Sequence, residues 1–145
     1  MKKYLHVGCG NRRIAGFINT DKDEMDISKP WPHKNESVDG IVSMAVLNCL
    51  GWPELMFTLR ESYRVLKKGG VMRIGVNLVE TGYPLEKVLY GVNVNLFSFD
   101  LLSNILTRVG YSEVKRCNWR ESAIPTFAQV DTRHHRGSSY IEVTK

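Results

Sequence analysis

Apolar positions in this chain come in short blocks separated by polar, turn-rich stretches, and the blocks differ in period. Tyr4–Val7 is a short run ending in a β-branched residue that passes straight into Gly8-Cys9-Gly10. That predicts a buried strand followed by a tight glycine turn. Phe17–Thr20 predicts a second strand, ending at Asp21. Only residues 11–16 lie between the glycine turn and this strand, whereas a parallel crossover normally needs a dozen or more. Either the crossover is cut to a single turn or the two strands are not ordinary neighbours. Residues 22–37 are polar and hold Pro30 and Pro32, which predicts loop, with Asp26-Ile27 as the stub of another strand. Residues 38–43 (VDGIVS) predict the next strand.

Gly51-Trp52-Pro53 opens a helix, with Pro53 in the first turn, where its missing N–H costs nothing. Leu55, Met56, Leu59, Tyr63 and Leu66 recur at helical spacing and predict its buried stripe. Lys67 and Lys68 suit the negative end of the helix dipole, and Gly69-Gly70 predict a left-handed cap. Residues 71–76 (VMRIGV) predict a strand, and residues 77–97 a long loop with one helical turn near 85–90. Ser98 or Asp100 caps a second helix with inner face Leu102, Ile105, Leu106 and Val109, ended by Gly110. Residues 111–118 predict a strand and residues 119–137 a basic, irregular segment. Residues 139–143 (SYIEV) alternate and predict a closing antiparallel strand.

This order is that of an α/β fold, with helices covering a mostly parallel sheet, a reduced first half and an antiparallel C-terminal strand. At 145 residues the chain suits one domain spanning 1–145. In such sheets ligands bind outside the carboxyl ends of the strands. Attention therefore falls on Gly8 to Asn11, Asp21, Ser43 to Leu47 and Asn77 to Glu80.

Composition narrows the partners. Hydrophobic residues make up 43% and charged residues 24%, which excludes a disordered chain. No run reaches the roughly 18 apolar residues of a membrane span, and the N-terminus lacks the apolar core of a signal peptide. Cys9, Cys49 and Cys117 are odd in number and scattered, which suits reduced thiols in a cytoplasmic protein and no structural zinc. His134-His135 near Asp131 lack a third ligand at metal spacing, so no metal is expected. The formal charge of +5 permits an acidic partner without demanding one.

A GxG turn after the first strand lets a ligand approach backbone N–H groups closely, and such groups favour a carboxylate or phosphate. An aspartate ending the second strand can accept both hydroxyls of a ribose, because one carboxylate offers two oxygens. Asp26 can accept an exocyclic amino hydrogen of adenine, and Ile27 can lie against its ring. A dinucleotide fingerprint fits poorly: Arg13 stands where its third glycine belongs, and Asp21 comes too soon. No GxxxxGK[ST] phosphate loop occurs. Cys9 has no His or acid at a telling spacing and reads as a small residue in a tight turn.

The segments LHVGCGNRRIAGFINTD (5–21), DISKPWPHKNESVDGIVS (26–43), ESYRVLKKGGVMRIGV (61–76), FSFDLLSNILTRVGYSEV (97–114) and the terminal SSYIEVTK follow one another over nearly the whole chain. Together they resemble the class I S-adenosylmethionine-dependent methyltransferases, and more narrowly their compact type 11-like branch. The resemblance implies a doubly wound Rossmann-like sheet with S-adenosylmethionine as cofactor. It implies that Gly8, Cys9 and Gly10 turn under the cofactor's methionine end, with Asn11 adding a contact. Asp21 would hold the ribose diol, and Asp26 and Ile27 would meet the adenine. Ser43, Met44 and Ala45 would line the methionine and the transferable methyl.

The chain departs from the family pattern in four places. Lys68 stands where proline is common, and His6 fills a region often acidic. Ala45-Val46-Leu47-Asn48-Cys49 replaces a His-x-Leu-Glu-His type stretch, and Asn77-Leu78 replaces Pro-Asp. These changes remove acid/base groups, so no catalytic base is assigned. Glu80, Tyr83 and Tyr90 are candidate acceptor contacts, and Asp39 sits at the wrong end of its strand for that role. The acceptor implied is a small molecule or saccharide, with a partner subunit or homodimer able to complete its pocket. Two alternatives stay open. One is an inactive cofactor-binding relative acting through a protein partner. The other is a nucleic-acid methyltransferase, suggested by Arg108, Lys115, Arg116, Arg120, Arg133 and Arg136 with Trp119 and Phe127 among them.

Overall fold

The computed structural model describes residues 1–83, 86, 93–131 and 138–145. Its centre is a six-stranded sheet of β1 (Tyr4–Val7), β2 (Phe17–Thr20), β3 (Val38–Met44), β4 (Leu66–Asn77), β5 (Glu113–Cys117) and β6 (Ser138–Thr144). The spatial order is β2-β1-β3-β4-β6-β5. β1 pairs in parallel with β2 and β3, and β3 in parallel with β4. β6 runs antiparallel to both β4 and β5. The expected mostly parallel sheet with a reversed C-terminal strand is therefore what forms. Helices α1 (Trp52–Val65), α2 (Phe99–Val109) and the short α3 (Pro125–Ala128) complete the elements used below.

β1 and β2 are direct neighbours, in register from Tyr4↔Phe17 to Val7↔Thr20. Residues 8–16 join them without a helix. Two four-residue strands make this feasible. Each spans only about 13 Å, while nine residues of chain can reach about 30 Å. Asp26-Ile27 is no strand stub: Ile27 lies in a turn and β2 stays an edge of the sheet.

The helix ends earlier than its glycine pair suggests. Val65 is the last residue of α1, and Leu66 already has φ −65° and ψ 137°. Leu66 pairs with Val38, and Gly69 N–H and Gly70 O bond Lys145 across the sheet. Lys67 to Gly70 thus belong to an irregular start of β4, with Gly69 at φ +73° inside a bulge rather than capping a helix. α1 buries Leu55, Thr58, Leu59, Ser62 and Val65. Met56 and Tyr63, seven residues apart on the flank of that stripe, pack only partly. Ser98, not Asp100, caps α2 by accepting Leu101 N–H at 3.1 Å. β5 is shorter than predicted, since Tyr111 turns inward to bond Ser62. The helical turn expected near 85–90 lies outside the described residues, as do Tyr90, Arg133, His134, His135 and Arg136.

The two faces of the sheet are covered differently. On one, Leu5, Val7, Ile41, Met72, Ile74 and Ile141 pack against α1 and α2. On the other, Val42, Met44 and Tyr140 pack under Phe127 and Val130 of the segment after β5. An added Cβ at Gly40 would stand 2.3 Å from Phe127 Cζ, so the absent side chain is the seat of that ring. A buried ionic cluster holds the same segment down. Arg73 of β4 donates to both Asp131 oxygens at 2.7 Å and to Glu142 of β6 at 2.9 Å, and its guanidinium lies 5.3 Å from the Tyr140 ring centroid.

Candidate cofactor site

β1 ends at Val7 and the chain must turn at once, because β2 is its neighbour. Gly8 takes φ +65° to do so, and a Cβ there would meet Val46 Cγ2 at 2.5 Å. Both conditions call for glycine. β3 ends beside it at Met44, and Ala45 also turns left-handed at φ +58°, its N–H donating to Gly75 O at 2.9 Å. The strand ends therefore open on a pocket of about 510 Å³ lined by Gly8, Asp21, Asp26, Ile27 and Ala45, with Met25, Val46, Cys49, Leu50 and Glu54 among the rest. That volume is within the range of small-molecule sites.

Asp21 sits at the carboxyl end of β2. Its N–H donates to Glu24 Oε2 at 2.9 Å, and its carbonyl accepts from Glu24 and Met25 N–H. The backbone is thus pinned by a turn, with Glu24 itself paired to Arg13. The Asp21 carboxylate accepts no hydrogen bond among the described residues. Asp26 is more engaged: its Oδ1 accepts the N–H of Ser28 at 3.0 Å and the Ser28 hydroxyl at 2.6 Å. These bonds hold its carboxyl below the usual carboxylate range.

Five of the ten predicted residues line this pocket, and five do not. Cys9 is buried, its N–H donates to Thr20 O at 3.0 Å, and burial pushes its thiol up. Gly10 and Asn11 are exposed on the turn outside the pocket's lining. Ser43 is buried, its hydroxyl without a partner among the described residues, and Met44 points to the opposite face, against Gly75. Val46 falls within the 43–47 stretch singled out by its place after the strand, whereas Cys49, Leu50 and Glu54 lie beyond the residues that the sequence marks. The signal available was the helix start at Gly51-Trp52-Pro53, which places the first turn of α1 over the end of β3. Asp39 lies at the far end of β3, as expected, bonded to Lys3 N–H and Lys67. Among the described residues no cluster of side chains suits a metal ion.

The residues present fit S-adenosylmethionine. The cradle at Gly8 admits close backbone approach, Asp21 offers two unspent oxygens to a diol, and Ile27 and Leu50 supply apolar walls for a ring.

The family description "Methyltransferase domain" matches residues 17–74. None of the curated proteins compared matches the chain. Among solved structures, an S-adenosylmethionine-dependent methyltransferase from Archaeoglobus fulgidus superposes with TM-score 0.71 at 15% identity, over 99% of this chain and 86% of its own. One from Thermotoga maritima gives 0.63 at 16% identity, over 100% and 83%. A Haloferax volcanii complex of the Trm112 methyltransferase activator with a methyltransferase gives 0.68 at 14% identity, over 99% and 82%. Residues 17–74 thus match a methyltransferase domain, and the fold is the one that solved S-adenosylmethionine-dependent methyltransferases share.

Proposed function

We propose that the protein binds S-adenosylmethionine in the pocket between β1, β2 and α1 and transfers its methyl group to a small-molecule acceptor. The observation that carries this reading is the convergence of Gly8, Asp21, Asp26, Ile27 and Ala45 on one pocket at the carboxyl ends of the strands. Asp21 accepts the two ribose hydroxyls. Asp26 uses its remaining lone pairs for the adenine amino group, and Ile27 covers the ring. Ala45, Val46 and Cys49 flank the end that faces the acceptor.

The bound cofactor supplies a methyl group on a sulfonium, an activated leaving group. Held by Gly8, Asp21, Asp26 and Ile27, it would offer that methyl to an acceptor lone pair, with S-adenosylhomocysteine as the leaving group. An oxygen or nitrogen acceptor then gives its proton to water. At the acceptor end the lining contributes alignment and exclusion of water rather than acid/base chemistry, since Ala45 and Val46 carry no titratable group and burial pushes the Cys49 thiol up.

Calorimetric titration with S-adenosylmethionine and S-adenosylhomocysteine tests the reading, alongside Asp21→Ala. Micromolar binding is expected, weakened about 10–100-fold in the variant, the worth of a charge-assisted pair of hydrogen bonds. A folded parent protein that binds neither compound overturns it.

A further inference from the structure

The short connection between β1 and β2 leaves a cation beside the end of β2. Residues 8–16 make that connection without a helix, so a side chain of the loop can reach the carboxyl end of this edge strand. Asn19 of β2 fixes the loop at one point. Its Oδ1 accepts Ile14 N–H at 2.9 Å, and its Nδ2 donates to Ile14 O at 2.8 Å. Arg13 stands one residue before this anchor. Its guanidinium is thereby brought to the end of β2, with Nη1 3.5 Å from Asn19 O.

Asp21 follows Asn19 by two residues, and its carboxylate accepts no hydrogen bond among the described residues. A guanidinium beside a carboxylate with two unspent oxygens is well suited to form an ion pair with it. Arg13 pairs with Glu24 instead. One Glu24 oxygen takes Arg13 Nη2, and the other accepts Asp21 N–H at 2.9 Å. Glu24 N–H in turn donates to Asp21 O at 2.9 Å. One side chain thus holds Arg13 and tightens the turn that carries Asp21. The three charges crowd one spot: burial pushes the Cys9 thiol up, and Arg13, Asp21 and Glu24 all lie near enough to act on it as well. The Arg13 and Glu24 side chains are 54% and 41% exposed, so replacing either spares the core.

We propose that Glu24 is a positioning residue for cofactor binding, which keeps Arg13 off the Asp21 carboxylate and leaves both its oxygens free for a diol. This rests on the methyl-transfer reading above, in which Asp21 takes the ribose. With Glu24 neutral, Asn19 still anchors the loop at Ile14, and Arg13 competes with the ribose for Asp21. A simple brace between loop and turn behaves differently, because losing either partner breaks it equally.

The test is calorimetric titration of S-adenosylhomocysteine into the intact protein, Glu24→Gln, Arg13→Gln and the double variant. Glu24→Gln keeps an oxygen for Asp21 N–H and removes the charge that holds Arg13. It should weaken binding about fivefold at low salt, the worth of an exposed ion pair formed in competition. Arg13→Gln should stay within about twofold of the parent, and the double variant should return to that level. Raising NaCl from about 0.05 to 0.5 M should close most of the gap for Glu24→Gln, because salt screens an exposed pair. An Arg13→Gln loss equal to that of Glu24→Gln overturns the proposal in favour of a brace, as does a double variant as weak as Glu24→Gln. Parent-like binding by Glu24→Gln overturns it too, as does a loss that salt does not relieve. In each of these cases the parent still binds and the cofactor reading stands. A folded parent that does not bind overturns that reading and this proposal with it.

Discussion

Asn48 stands in the stretch where the family pattern would place histidine and glutamate, and its chemistry here is structural. Its Nδ2 donates to Asn77 O at 3.2 Å and Asn95 O at 3.0 Å, and its Oδ1 accepts Asn77 N–H at 3.0 Å. Its carbonyl accepts Val94 N–H at 2.6 Å and Asn95 N–H at 2.9 Å. One buried amide thus ties the end of β4 to the strap at residues 93–95. Asn48→Ala should cost about 2 kcal/mol in denaturant unfolding, through polar groups left unpaired. Asn48→Asp should cost more, because it turns an acceptor toward two carbonyl oxygens. His6 is the second residue whose burial matters. Burial lowers its pKa below the ordinary 6.5, with the nearby Arg12 in the same sense and the Asn19 hydrogen bond opposing. The folded state therefore resists protonation that the unfolded chain accepts. The stability tied to the neutral ring is full above about pH 6.5 and is lost as pH falls through the folded pKa. His6→Gln should flatten the loss of stability as pH falls below about 6.5, read from urea unfolding across pH.

Two elements show where local pattern and tertiary pairing disagree. Gly69-Gly70 carries the local signature of a helix stop, yet the backbone leaves α1 at Val65. Leu66 gains a partner in Val38, and Lys145 bonds Gly69 and Gly70, so sheet pairing prevails over another helical turn. The segment at 119–131 is the opposite case. Nothing periodic marks it, yet Phe127 is fully buried against Gly40 and lies edge-on to Tyr4 at 5.1 Å. Gly40→Ala should displace that ring and cost about 1–3 kcal/mol, the range for an overpacked core. Adding Phe127→Leu should then cost less than it does in the parent, a non-additivity that denaturation of the four proteins would measure.

At the scale of the whole molecule, the second face of the sheet is closed by charge as well as by apolar packing. Arg73, Asp131 and Glu142 are fully or nearly fully buried, and Asp131 and Glu142 lie 58 and 69 residues from Arg73 in the chain. Asp131 also accepts Arg120 N–H at 2.6 Å, and Arg12 donates to Asp131 O at 2.9 Å. The cluster fixes the segment after β5 on the sheet. Asp131→Asn would leave the Arg73 charge half-paired in the interior. A cost of about 3–5 kcal/mol is expected, with hydrogen exchange rising first across residues 118–131.

The chain's own pattern determined the α/β order, the positions of all six strands and both long helices, and the glycine turn and Asp21 that face the pocket. Those features rest on short-range physics: period, capping, and the φ that only glycine takes cheaply. Tertiary structure alone decided the rest. It made β1 and β2 neighbours, ended α1 early, turned Ser43 and Met44 away from the pocket, and brought Cys49 and Leu50 into it. It also joined Arg73 to Asp131. Each of these depends on contacts between separate elements, many of them dozens of residues apart, and a burial or hydrogen bond shared over that distance leaves no period in the sequence.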